Sequence, residues 1–247
     1  MDRLIYTAMS GMTDSMTRQR VIASNMANTQ TVGFRAEMIY STPVTVKGGP
    51  LEVRAFTDGE VRGASMKQGT VSQTGRPLDV ALTGDSMLAV QAADGSEAYT
   101  RRGDLTVSAT GVLENGEGRP VMGNGGPISV PPDAAVSISP DGSVMVGNAE
   151  APDQPPVAVD RLKLVSTAGS KIAKQIDGLF RVIGGGALPE DANATVATSS
   201  LEGSNVDPSE VMVQMVEAQR MFDIRTKMIS TAREIDESGS ALMRINS

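Results

Sequence analysis

The feature that most constrains this chain is a pair of apolar seams, one at each end, in which apolar residues recur at alternating spacings of three and four. Near the start, Ile5, Met9, Met12, Met16, Gln19, Ala23 and Met26 follow that spacing. A repeat of 3.5 residues is the signature of a helix that packs along another helix, rather than of one amphipathic face alone. Neither Gly nor Pro interrupts the stretch between Met12 and Val32. A helix from about Leu4 to Asn28 would run roughly 37 Å at 1.5 Å per residue. The far end repeats the pattern with Val211, Met215, Ala218, Phe222, Ile229 and Ala232, broken at Arg225. Asp207-Pro208-Ser209-Glu210 predicts its start, with Asp as N-cap, Pro in the first turn and Glu placed for a capping box. A second apolar row, Met221, Ile224, Met228, Ile235, Leu242 and Ile245, lies beside the first. Gly239 weakens the last turns by about 1 kcal/mol relative to Ala.

Between the helices the period changes from 3.5 to 2. Leu78-Asp79-Val80-Ala81-Leu82, Val136-Ser137-Ile138-Ser139 and Leu162-Lys163-Leu164 alternate as half-buried strands do. Asp94-Gly95, Asn115-Gly116, Asp141-Gly142 and Asp177-Gly178 are turn pairs suited to tight hairpins. The expected fold class is α+β: an antiparallel β-rich central domain flanked by N- and C-terminal helices that pair as a coiled coil. The run Ala151-Pro152-Asp153-Gln154-Pro155-Pro156 reads as a loop within the β-domain. Gly184-Gly185-Gly186 and the polar stretch after it read as a connector. The division is therefore an N-terminal helix and its following segment at 1–35, an extended connector at 36–74, a β-domain at 75–183, a linker at 184–200 and a C-terminal helical segment at 201–247.

Composition removes most enzyme classes. The 247 residues contain no His, Cys or Trp, and aromatics are only 3%. Without His or Cys there is no imidazole base, no Ser-His or Cys-His pair, and only carboxylates to hold zinc. A pair of carboxylates could still serve a glycosidase, but the sugar platforms are scarce and no two acidic residues are evidently paired. No catalytic residue, cofactor or metal ligand is expected. A net charge of −7 argues against nucleic acid or an anionic membrane as the main partner. The N-terminal residues lack the apolar core of a cleaved signal peptide, and no stretch of about 18 apolar residues suggests a membrane span.

Two strings carry more than local structure. Ser24-Asn25-Met26-Ala27-Asn28-Thr29-Gln30-Thr31-Val32-Gly33-Phe34-Arg35 is, physically, a helix end: Asn28 and Gly33 tolerate left-handed backbone, and Phe34 could fold back on the last turn. With Ser24, Asn25, Ala27, Asn28, Thr31, Gly33 and Phe34 in place, it resembles the N-terminal signature of bacterial flagellar rod and hook proteins, S-N-x-A-N-x-x-T-x-G-F. Leu201, Glu202, Gly203, Ser204, Asn205 and Val206, followed by Ala218-Gln219-Arg220-Met221-Phe222, are similar to that family's C-terminal signature. Alone, the run from Glu202 to Asp207 is a solvated turn before an N-cap. Gly75 to Leu82, Leu88 to Gln91, Tyr99-Thr100-Arg101 and Gly126-Pro127-Ile128 resemble the central region of the two longer rod proteins. The opening residues and the length favour the proximal over the distal rod type.

The resemblance implies a structural subunit, not an enzyme. It implies export unfolded through the flagellar type III apparatus without a cleavable signal peptide, and addition to a hollow rod in the basal body, across the periplasm. Residues 1–35 and 201–247 would form an inner coiled-coil layer around the channel, with copies of the chain and other rod proteins as partners, no small-molecule substrate, no nucleic acid and no membrane insertion. The rod would transmit torque to the hook. The competing class is a secreted β-rich binding module with a helical oligomerisation stalk, which would need neither two seams nor two signatures.

Overall fold

The computed structural model describes residues 2–45, 55–131, 134–147 and 155–245. In chain order the elements are α1 (Asp2–Ala27), β1 (Glu37–Thr45), β2 (Ala55–Ala64), β3 (Val71–Gln73), β4 (Val80–Leu82), β5 (Ser86–Gln91), β6 (Glu97–Thr100), β7 (Leu105–Val107), β8 (Leu113–Asn115) and β9 (Met122–Gly123). There follow β10 (Gly126–Pro127), β11 (Ala135–Ile138), β12 (Ser143–Gly147), β13 (Val157–Arg161), β14 (Leu164–Ser166), β15 (Ile172–Lys174), β16 (Phe180–Val182), β17 (Val196–Thr198), β18 (Ser200–Glu202) and α2 (Pro208–Ile245). Two helices at the ends and antiparallel strands between make the chain α+β.

The chain forms two compact units. One comprises Met1–Ala27, Glu37–Arg62 and Asp207–Ser247; the other comprises Asn28–Ala36 and Gly63–Val206. Both are discontinuous in sequence, because the segment after α1 and the segment before α2 belong to the β unit.

The β unit is centred on a five-stranded sheet in the order β14-β5-β6-β16-β15, every neighbour antiparallel. Strand β5 is buried on both faces, which is why its run Met87-Leu88-Ala89-Val90 shows no polar alternation. Leu88 and Val90 face one core with Val80, Leu82, Leu105 and Leu113. Met87 and Ala89 face another with Tyr99, Val165 and Phe180. Burying each large aliphatic side chain contributes about 1.5–3 kcal/mol, so these two layers carry the unit. A three-stranded sheet, β11-β12-β13, and several two-stranded pairs complete it.

Three of the four turn pairs follow one local design. In Asp94-Gly95, Asp141-Gly142 and Asp177-Gly178 the Asp Oδ1 accepts the backbone N–H two residues on, and the Gly takes positive φ. Those bonds, with the hydroxyls of Ser96 and Ser143, hold the Asp94 and Asp141 carboxyls below their ordinary pKa. Asn115-Gly116 differs. Asn115 ends β8, its Oδ1 accepts from Glu117 and Arg119, and Gly118 takes the positive φ.

Three boundaries read from the sequence are corrected. Residues 184–200 are not a linker: Leu188, Ala194 and Val196 are buried, and β17 pairs with β4. Their apolar anchors are too widely spaced among polar residues to show a period. The stretch 36–74 is not merely a connector, since β1 and β2 pair and β3 pairs with β18. The β unit reaches beyond 75–183 because residues 28–36 and 199–206 fold into it. Of the Pro-rich run, Ala151 to Gln154 lie outside the described residues.

In the other unit, β1 and β2 pair as a two-stranded sheet and the two helices pack together, Gly11 and Ser15 of α1 lying against Arg225 of α2. Asp207 caps α2: its Oδ1 accepts N–H bonds from Ser209 (2.8 Å) and Glu210 (3.3 Å). Glu210 does not complete a capping box; its Oε1 accepts from Gln214 one turn on.

Candidate assembly elements: a buried clasp and a helix pair

In the β unit the two sequence signatures meet. Glu202, at the end of β18, is 1% exposed and its carboxylate is shared between two buried arginines. Oε1 accepts from Arg35 at 2.8 Å and from the Gly69 N–H at 2.9 Å. Oε2 accepts from Arg101 Nε at 2.9 Å and from its terminal nitrogen. The rest of Arg101 donates to the carbonyls of Leu82, Gly84 and Ser86, so its guanidinium bridges the end of β4, the following turn and β5. Arg35 also donates to the Lys67 carbonyl. Burial pushes the Arg35 guanidinium below its ordinary pKa, opposed by the Glu202 carboxylate and assisted by the neighbouring Arg101 cation.

The backbone around the clasp explains the glycines. The Gly33 N–H donates to the Glu202 carbonyl at 2.7 Å, with φ +66°. A Cβ at Gly33 would lie 2.5 Å from the Arg101 backbone carbon, so only Gly fits there. The Gly203 N–H donates to the Thr70 carbonyl, and a Cβ at Gly69 would meet the Gly203 carbonyl oxygen at 2.2 Å.

Asn205 is the second fastener. Its Oδ1 accepts from the Ala36 N–H at 2.7 Å, and its Nδ2 donates to the carbonyls of Ser65 (2.9 Å) and Lys67 (2.7 Å). Its own N–H donates to the Phe34 carbonyl. Phe34 does not act simply as a helix stop: its ring lies 3.5 Å from the Lys174 ammonium. Asn28 accepts from Thr31 at 3.0 Å, forming a local turn. Ser204 accepts from the Val206 N–H, and Val206 is buried, whereas Leu201 is half-buried.

In the helical unit, Asn25 is buried and grips the backbone of Glu37 twice, accepting its N–H at 2.8 Å and donating to its carbonyl at 3.1 Å. Ser24 donates to the Glu37 carboxylate at 3.2 Å. Ala27 is exposed. These signature residues fasten the start of β1 to the end of α1.

Along the helix pair, the two seams behave differently. On α2, Val211 and Ala218 are buried, and Phe222, Ile229 and Ala232 are half-buried; Met215 is 36% exposed. On α1, Met12 and Met26 are half-buried, but Met9, Met16 and Ala23 are exposed. The inward face of α1 instead presents Asp14, Ser15, Val21, Ile22 and Asn25. The side chains of Ile5, Leu242 and Ile245 lie outside the described residues. A face containing Asp, Ser and Asn carries no apolar signal, so an apolar period could not find it.

Sequence reasoning also missed Arg35 and Arg101 as site residues, and gave no role to Asp79. Asp79 is 1% exposed, its Oδ2 accepting from Thr74 at 2.7 Å. The available signal was a charge inside an otherwise apolar strand neighbourhood, as at Tyr99-Thr100-Arg101. Among the described residues, no cluster of acidic side chains could hold a metal, and no helix is long and apolar enough to cross a membrane.

Both carboxylate oxygens of Glu202 are engaged by Arg35, Arg101 and the Gly69 N–H, while Arg35 Nε is buried without a hydrogen-bond partner; the arrangement ties chain segments together. This is the site of a structural protein in which the segment after α1 and the segment before α2 are tied together within the β unit. Comparisons identify which kind. The chain matches three family models: "Flagella basal body rod protein" over residues 5–35, "Flagellar hook protein FlgE/F/G D1 domain" over 81–146, and "Flagellar basal body rod FlgEFG protein C-terminal" over 197–242. It is 39% identical over 252 residues to the flagellar basal-body rod protein FlgF of Salmonella typhimurium, covering all of both chains. It is 41% identical to that of Escherichia coli, with 98% of this chain and 97% of the relative covered. A FlgG rod protein of Bacillus subtilis is 32% identical over 94% of this chain and 96% of the relative.

The chain belongs to the flagellar basal-body rod proteins and is of the FlgF type. It is a structural subunit of the flagellar basal body, not an enzyme, and serves motility there with other rod proteins.

Proposed function

We propose that this subunit polymerises through its terminal helices into the proximal part of a hollow rod that transmits torque and carries the export channel. In this reading the helices of many copies form a coiled-coil inner layer, and the chain reaches its place in the periplasm through the flagellar type III apparatus. The observation that carries it is the apolar surface left over after α1 and α2 have paired. Met9, Met16, Met221, Ile224, Met228 and Ile235 are 50–62% exposed on the two helices. Contiguous exposed apolar rows on helices mark contact surfaces. Copies packed side by side would bury them at roughly 0.8 kcal/mol per methylene.

Basal bodies from cells carrying Met16→Asp test it. Met16 is 59% exposed, so the charge stays solvated in the free chain and is buried only between copies. Helix content by circular dichroism should be unchanged, while motility is lost and the subunit is missing from purified rods. Normal rods containing Met16→Asp would refute polymerisation through this row. Ile229→Asp is the contrasting variant: Ile229 is half-buried against the partner helix, and should lose helix content even as free protein.

A further inference from the structure

The sequence holds two Asn-Gly pairs, Asn115-Gly116 and Asn124-Gly125, and the fold gives them opposite surroundings. Asn115 ends β8, pairs with Leu105 of β7 and is buried. Its Oδ1 accepts the N–H groups of Glu117 and Arg119, each at 3.0 Å, and its own N–H donates to the Arg119 carbonyl at 2.9 Å. Asn124 and Gly125 are exposed and form the two-residue connection between β9 and β10, beyond the paired Gly123 and Gly126. Among the described residues the Asn124 side-chain amide makes no hydrogen bond; the Asn124 backbone N–H donates to Asp160 Oδ1 at 3.4 Å. We propose that Asn124 is a site of spontaneous covalent modification: it deamidates through a cyclic imide, while Asn115 is protected. This goes beyond the polymerisation reading and does not depend on it.

The reaction needs a side-chain carbonyl carbon free to turn onto the next backbone nitrogen, and a following residue with no side chain to block it. Gly125 meets the second need: a Cβ there would touch nothing within 4 Å. Its nitrogen, on losing a proton to hydroxide, attacks Asn124 Cγ. The N–Cγ bond forms and the Cγ–Nδ2 bond breaks. Nδ2 leaves as ammonia, taking a proton from water and so returning the hydroxide. Water then opens the imide at either carbonyl. Breaking the new N–Cγ bond gives aspartate; breaking the original peptide C–N bond gives isoaspartate, whose backbone is one methylene longer. At Asn115 the ring cannot close until β8 opens locally, because closure rotates a backbone held by Leu105 and the Arg119 carbonyl and breaks both bonds to Oδ1. Either product at Asn124 sets a second carboxylate beside Asp160, which already accepts the Asn124 and Arg161 N–H groups. The modified turn therefore gains a like-charge contact.

Peptide mapping of the full chain by mass spectrometry, after incubation in mildly alkaline water labelled with heavy oxygen, reads both pairs at once. Asn124 should convert on the order of tenfold or more faster than Asn115, which must wait for local opening. The product should be a mixture of aspartate and isoaspartate, each carrying one heavy oxygen from water. In urea, where the fold no longer separates the two pairs, their rates should draw together. Gly125→Ala, which puts a methyl group into open space, should leave the urea midpoint nearly unchanged and slow conversion of Asn124. Equal rates in the folded chain would overturn the proposal, as would a difference that persists in urea. So would aspartate formed without isoaspartate, or a Gly125→Ala chain that converts as fast as wild type.

Discussion

Replacing Glu202 by Ala should destabilise the β unit more than any single apolar truncation on its surface. The Arg35 and Arg101 side chains that share its carboxylate are each 1% exposed. Arg101 keeps its bonds to three carbonyls, but both guanidiniums lose the carboxylate they share. Removing one member of a buried ion pair costs about 3–5 kcal/mol. Here one anion serves two cations and also accepts the Gly69 N–H, so the upper part of that range is expected. Against a typical total of about 5–15 kcal/mol the loss is large, and in a unit this size it lowers the melting temperature by roughly 10 °C or more. The chain has three Tyr, and Tyr99 is the one in the β unit. With Tyr6→Phe and Tyr40→Phe as background, Tyr99 fluorescence in a urea titration isolates that unit. Glu202→Gln, which keeps an acceptor for Gly69 but no charge, should lie between wild type and Ala. The triple variant Arg35→Met/Arg101→Met/Glu202→Leu should recover much of the loss, because no charge is then left buried. A Glu202→Ala change below about 1 kcal/mol, the range of an exposed pair, would refute the reasoning. A triple variant as unstable as the single one would assign the effect to packing instead.

Two further outcomes follow from the same unit. Gly33→Ala should cost about 2 kcal/mol or more, from left-handed backbone together with a backbone clash that cannot yield, whereas Gly95→Ala, at φ +80° with open space around it, should cost about 1 kcal/mol; paired urea titrations compare them. The Tyr99 hydroxyl, which burial raises to a pKa of about 12 with the acceptor Glu97 assisting and the donated Leu188 N–H opposing, contributes stability that is complete below the ordinary value near 10 and is lost as pH rises through about 12. Tyrosinate absorbance should therefore show one late-titrating Tyr, and Tyr99→Phe should flatten the alkaline fall in stability; a Tyr99 that ionises with the others would overturn this.

The helices, the turn pairs and the α2 cap were legible because each is decided locally. An N-cap Asp followed by Pro, or an Asp-Gly at a reversal, forms its hydrogen bonds within two or three residues, so its physics is complete in the string itself. The α2 seam was legible for a related reason, since residues at heptad spacing lie on one side of any helix. The clasp was not. Glu202 looks like a solvated turn residue until Arg35 and Arg101, more than a hundred residues away in sequence, close over it, and no local pattern encodes that distance.

The same distinction separates the two ends of the chain. The residues from Leu4 to Asn28 and from Pro208 onward carried enough periodicity to specify helices, and the two signature strings were enough to specify the family. Which face of α1 turns inward was settled only by tertiary contacts. Asp14, Ser15 and Asn25 are buried because Arg225 and the Glu37 backbone are there to satisfy them, while the apolar Met9 and Met16 are left outside. Sequence periodicity measures a residue's preference for water; burial of a polar side chain depends on whether a partner stands opposite, and only the assembled fold supplies one.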